Sequence, residues 1–91
     1  MKHYEVRFKP SVQKTLDGLQ KKLVTRILNR IEQLAVEPRP RDARKLKGST
    51  DYYRIRSGDY RIIYTVQDDI FLILVVAIGE RGSIYKRLKS L

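Results

Sequence analysis

Residues 71–78, "FLILVVAI", are apolar at every position and β-branched at several. A strand with one face in water alternates apolar and polar residues; a continuous apolar run reads as a strand covered on both faces. The whole run 70–79 is too short to cross a bilayer. The fold must therefore place this segment centrally in a sheet, with packing on either side. With 91 residues, one domain spanning 1–91 is expected. It would bury about 60–65% of its unfolded-chain surface, which leaves little room for an internal cavity. A functional site is then an open groove or a surface.

The remaining elements follow from pattern. "HYEVRF" at 3–8 alternates and reads as a strand. Pro10 can open a helix at its first turn, with Val12, Leu16 and Leu19 as its apolar stripe and "DG" at 17–18 as its end. A longer helix over roughly 20–36 carries Leu23, Ile27, Leu28, Ile31, Leu34 and Ala35 at helical period. Lys21, Lys22, Arg26 and Arg30 lie off that stripe, and Pro38 and Pro40 end the helix. The segment 37–48, "EPRPRDARKLKG", is a basic connector. Strands are expected at about 51–57, 60–66 and 70–78, and a short helix at about 83–89 with Ser83 as its cap. The order β-α-α-β-β-β-α gives an α+β fold, a mainly antiparallel four-stranded sheet with the helix pair on one face. No repeat or low-complexity tract interrupts it.

Charge narrows the partners. Lys plus Arg number 20 against 10 Asp plus Glu, a formal net charge of +10. An excess of this size on a small domain attracts polyanions, nucleic acid first and an acidic protein second. No basic amphipathic segment with Trp/Phe anchors points to a membrane surface. There is no cysteine, so disulfides and thiolate metal sites are excluded. One histidine, His3, does not make a zinc site, and no cofactor motif is present. No apolar h-region follows the first residues, "MKHYEVRFKP", so the protein is expected to be cytoplasmic.

The stretch "DYYRIRSGDYRIIY", 51–64, concentrates that charge. Arg54 and Arg56 share one strand face, about 6.7 Å apart. If Gly58–Asp59 is a two-residue loop, Ser57 pairs with Tyr60, Arg56 with Arg61 and Ile55 with Ile62; any even-length loop keeps Arg61 on the face of Arg54 and Arg56, whereas an odd loop without a bulge moves it to the other. The even case sorts Tyr53, Ile55, Ile62 and Tyr64 onto a face for the helices. It leaves Tyr52, Arg54, Arg56 and Arg61 on the other, with Ile63 and Thr65 beside them. Like charges opposed across strands are unfavourable, and a guanidinium cannot shed its proton. An anion stabilises such a face, and planar guanidinium forks match phosphate. The alternative is that Asp51, Asp59, Asp68 or Glu80 neutralises these arginines. Farther on, "GERGSIYKRLK" puts Arg81 just past the central strand between two glycines, with Tyr85 four residues later. Tyr85 could stack on a base and move a proton, or simply pack the last helix with Ile84 and Leu88.

These motifs, K-L-x-G…Y-R-I-R…G-x-Y-R-x-x-Y and the closing G-x-R…Y, resemble the RelE/ParE superfamily of bacterial and archaeal toxins, the RelE branch more closely. The resemblance covers essentially the whole chain. It implies a metal-independent endoribonuclease that enters the ribosomal A site and cleaves mRNA by attack of a 2′-hydroxyl on the adjacent phosphate. It implies a small acidic RelB-like antitoxin as partner, with operator DNA bound only through the antitoxin complex. By the same resemblance Arg61 is the phosphate-stabilising arginine, Arg81 assists the leaving 5′-oxygen and Tyr85 orients the substrate. Arg54 and Arg56 occupy a pair of positions that are lysines in the best-known members, and Lys45 and Lys47 add RNA contacts. A guanidinium is no general base, so Tyr85, Glu80, Lys45 and Lys47 are the candidates for that role. Some relatives use a histidine near Arg81; here His3 lies far from the motif. Two other readings stand beside this one: a ParE-like toxin that blocks DNA gyrase without cutting RNA, and a basic RNA-binding module without chemistry.

Overall fold

The computed structural model describes residues 3–46 and 51–88. In chain order it contains β1 (Glu5–Phe8), α1 (Pro10–Asp17), α2 (Lys21–Val36), β2 (Arg44–Lys45), β3 (Tyr52–Ser57), β4 (Tyr60–Gln67), β5 (Leu72–Glu80) and α3 (Ser83–Leu88). Pro10 stands in the first turn of α1, and the helix ends at Asp17, before Gly18. The apolar stripe of α2 buries Ile27, Ile31 and Leu34.

The sheet has the order β1-β5-β4-β3-β2, so the continuous apolar run forms an interior strand. Helices cover one face: Val12, Leu16, Ile27, Ile31 and Leu34 pack on Ile55, Ile62, Tyr64, Ile73, Val75 and Ile78. Each such side chain contributes about 1.5–3 kcal/mol on burial. The other face holds a smaller cluster of Ile63, Val76, Ala77 and Ile84, with Leu46, Tyr52 and Leu74 packed against it. Ile84 comes from α3, so this helix covers part of the arginine-bearing face.

Two expectations are corrected. The sheet has five strands rather than four, because Arg44–Lys45 in the basic connector pairs antiparallel with β3. A two-residue edge strand is too short to carry a periodic signal. It is held by tertiary contact, with the Leu46 amide donating to the Tyr52 carbonyl at 3.0 Å. The sheet is mainly antiparallel as expected, with β1 parallel to β5. Finally, Ile70 and Phe71 are not in the central strand: Asp68–Ile70 forms a 3₁₀ turn and Phe71 has φ +50°. Ser83 is the first residue of α3, and its hydroxyl donates to the Glu80 carbonyl at 3.1 Å.

The β3–β4 hairpin takes the even register: Ser57 opposes Tyr60, Arg56 opposes Arg61 and Ile55 opposes Ile62. Gly58 turns the chain at φ +59°, a conformation that glycine adopts without a Cβ clash. Between β4 and β5 the register shifts at Ile63/Tyr64, where Ile63 opposes Ala77 and Tyr64 opposes Val75. Val76 is therefore the extra residue of a bulge. The bulge lets Ile73, Val75 and Ile78 all face the helices despite their mixed spacing. No helix among the described residues is long and apolar enough to cross a membrane.

Candidate functional site

Three polar ties hold the connector and helices against the sheet and fix the arginine strands. From α2, Arg30 donates through Nε to the Arg56 carbonyl at 2.9 Å and pairs with Asp42. Arg39 grips Asp68 with both terminal nitrogens, at 3.1 and 2.7 Å, and donates through Nε to the Tyr53 hydroxyl at 3.0 Å. Tyr4 adds a hydrogen bond to Asp68 at 2.6 Å. The Arg39 guanidinium, then the Tyr4 hydroxyl, hold the Asp68 carboxyl down at about 2. Beneath them the Tyr64 hydroxyl donates to the Pro38 carbonyl at 2.7 Å, and burial pushes that phenol above its ordinary range.

Asp68 is thus committed to Arg39 and Tyr4, away from the arginine face. On that face Arg56, Arg61 and Arg81 line one groove of about 290 Å³ together with Gly58, Asp59 and Glu80. Arg61 opposes Arg56 on one side and Gly79 on the other. It is only 7% exposed, and its Nε is buried without a hydrogen-bond partner. Among the described residues no ion pair engages Arg56, Arg61 or Arg81. A buried donor on a permanent cation, facing another cation, is an unfavourable arrangement for a free protein. An anion in the groove would offset both the charge and the unmet donor.

Arg54 lies beyond Arg56 on the same strand and lines a second groove of about 310 Å³ with Asp42, Arg44, Ile55 and Arg56. Arg56 belongs to both grooves. The structure thus brings together Arg54, Arg56, Arg61 and Arg81. It does not bring Lys45 to them: Lys45 opposes Tyr53 and its ammonium sits 5.9 Å from the centre of that ring, on the side of the helices. Lys47 falls outside the described residues. Tyr85 lies on α3, and its side chain is likewise outside them.

Arg44, its neighbour in β2, opposes Arg54. The signal for it was available. Arg44 and Leu46 share strand parity, and Leu46 packs in the cluster on the arginine side. The connector's lack of a longer pattern hid it. Gly79 does more than flank Arg81 in sequence. A Cβ there would meet Ile84 Cδ1 at 3.3 Å, so this glycine gives α3 its seat beside Arg61.

Known proteins agree with this architecture. The family model for the ParE toxin of type II toxin–antitoxin systems matches residues 6–85. The chain designated RelE1 in Methanocaldococcus jannaschii is 33% identical over 86 residues, covering 91% of this chain and 96% of that one. The mRNA interferase toxin RelE of Escherichia coli K12 is 40% identical over 48 residues, about half of each chain (48% and 50%). Among solved structures, the RelE–RelB complex of Pyrococcus horikoshii superposes with a TM-score of 0.78 at 38% identity, over 88% of this chain and 97% of that one. A mutant of E. coli RelE in the free state gives 0.79 at 24% identity, with 98% of each chain covered, a likeness of fold. The arginine-lined sheet face, the family match along 6–85 and these relatives lead to one conclusion: this chain belongs to the RelE/ParE family of type II toxin–antitoxin toxins.

Proposed function

We propose that this toxin is an endoribonuclease that cleaves mRNA in the ribosomal A site. The observation that carries the reading is Arg61, a buried guanidinium with an unpartnered Nε, set between Arg56 and the groove it shares with Arg81. Such a cation is organised for a phosphodiester before substrate arrives, and preorganised charge is the largest usual source of rate enhancement. The name of the E. coli relative, an mRNA interferase, supports the same reading.

The scissile phosphate sits against Arg61 and Arg56. The ribose 2′-oxygen forms a bond to phosphorus as the bond from phosphorus to the 5′-oxygen breaks. The products are a 2′,3′-cyclic phosphate and a 5′-hydroxyl. The 2′-hydroxyl proton leaves to a base, and the departing 5′-oxygen takes a proton from water while Arg81 offsets its charge. Glu80 borders the groove and Tyr85 follows on α3, where it orients the nucleotide. Lys45 faces the other way and takes no part. In-line alignment and the three guanidiniums supply most of the acceleration, so no divalent ion is required. A cognate acidic antitoxin of RelB type neutralises this face, and operator DNA is reached only through that complex. The P. horikoshii relative's structure as a RelE–RelB complex supports that partner. The setting is the cytoplasm.

The test is induction of the chain in cells with mapping of mRNA 5′ ends. The expected result is codon-phased cleavage that disappears in both Arg61→Ala and Arg81→Ala, with growth restored. Full toxicity of both variants would overturn the assignment of the site. DNA breaks with intact mRNA would transfer the protein to the gyrase-blocking branch.

A further inference from the structure

We propose that the groove of Arg44, Arg54 and Arg56 is a second phosphate site, which holds a phosphodiester flanking the one cut beside Arg61, and that Arg44 anchors it. This inference rests on the RNA-cleavage reading and extends it to the length of RNA the site grips.

The register places Arg44 on the edge strand directly across from Arg54. Like charges so opposed destabilise a strand pair, and β2 is only two residues long. An anion between them removes that penalty. Arg44 is also held ready. Its Nη1 donates to the Arg41 and Ala43 carbonyls at 3.0 Å each, which fixes the guanidinium plane and leaves its other N–H groups for a fork-type contact. Asp42, the one carboxylate that lines this groove among the described residues, is engaged by Arg30.

The two grooves form a continuous track. Arg56 lines both, and the row Arg81, Arg61, Arg56, Arg44 runs from the turn just past β5 across β4 and β3 to β2. Arg61 and Arg44 are two strands apart and, since Arg44 opposes Arg54 while Arg61 opposes Arg56, two residues out of step, about 12 Å at the usual strand spacing and rise. That separation suits two phosphates of one RNA strand. Lys45 stands on the opposite face, so in β2 only Arg44 contributes to the track.

The experiment uses the full chain and single-turnover cleavage of mRNA on programmed ribosomes, which separates the maximal rate from the half-saturating concentration. Arg44→Gln should raise the half-saturating concentration about 10-fold, as expected for loss of one charged hydrogen-bonding contact, with the maximal rate within about twofold. Its log–log salt dependence should flatten by about 0.7, the single-strand value for one phosphate. Lys22→Gln, the same charge change on an exposed position of α2, should leave that slope in place. RNAs with one neutral methylphosphonate linkage beside the cut supply the decisive comparison. At one flanking position the neutral linkage should weaken the unmodified toxin by the Arg44→Gln factor, and Arg44→Gln should then add nothing. If the Arg44→Gln defect persists undiminished on every neutral-linkage RNA, the contact is with another polyanion and the inference is overturned; absence of any defect overturns it equally. An unmodified chain that cleaves no RNA refutes the nuclease reading itself.

Discussion

Replacing Arg61 by methionine should make the protein more stable while removing its activity. The native guanidinium is 7% exposed, its Nε has no partner, and it opposes Arg56. A buried unpartnered donor costs about 1–3 kcal/mol, and a like-charge pair across strands up to about 1 kcal/mol. Methionine keeps a similar length of apolar chain and fills irregular space. Exchange of a buried ionic group for a well-packed apolar one is often stabilising. Allowing for imperfect packing, the expected gain is about 1–2 kcal/mol. For a domain of this size that is a rise in Tm of roughly 4–16 °C. Urea titrations of both proteins should show a higher midpoint with an unchanged slope. Cleavage should fall by about 10²–10³, the usual loss for one preorganised donor. A lower midpoint for Arg61→Met would refute the argument, because it would mean that the guanidinium is satisfied within the free protein. The combination expected here, a site that destabilises the fold it sits in, is the common trade between activity and stability.

Gly79→Ala should slow cleavage by roughly 10-fold, scaled from the 10²-fold loss that a 1 Å misplacement can cause, because its Cβ would press on Ile84 Cδ1 at 3.3 Å and shift α3; adding Ile84→Val, which deletes that methyl, should restore most of the rate, and no rescue would refute the coupling. Asp68→Asn tests the connector tie. The folded carboxyl titrates at about 2 against an ordinary 3.8, so its stabilising contribution is present above 3.8 and is lost as pH falls through about 2. Urea midpoints measured down this range should drop for the native chain and drop less for Asp68→Asn, and parallel curves would contradict the assignment. Tyr64→Phe should destabilise by about 0.5–1.5 kcal/mol through loss of its bond to the Pro38 carbonyl, measured by the same titration; an unchanged midpoint would show that this bond adds nothing.

The Arg39–Asp68 tie illustrates why the connector was hard to read in advance. Arg39 and Asp68 are 29 residues apart, and no local pattern joins them. The segment 37–46 owes its path to this ion pair, to Arg30 and Asp42, and to the Leu46–Tyr52 backbone bond. The hairpin arginines were legible for the opposite reason. Strand alternation and a two-residue loop fix which side chains share a face, and both are properties of a dozen adjacent residues.

Sequence alone determined the elements whose signals are local: the amphipathic α2, the interior strand, and the shared face of Arg54 and Arg56; it narrowed the hairpin to two registers, and the structure took the even one that adds Arg61 to that face. It also determined the charge that favours a polyanion. Tertiary structure decided the rest. In a strand apolar on both sides either register buries carbon, so only packing could choose the bulge at Val76 that turns Ile73, Val75 and Ile78 toward the helices. Only the pairing of β2 with β3 could send Arg44 to the arginine face and Lys45 to the other, since a two-residue strand has no period of its own. And only the approach of Ile84 to Gly79 could close α3 over a face that the pattern left open.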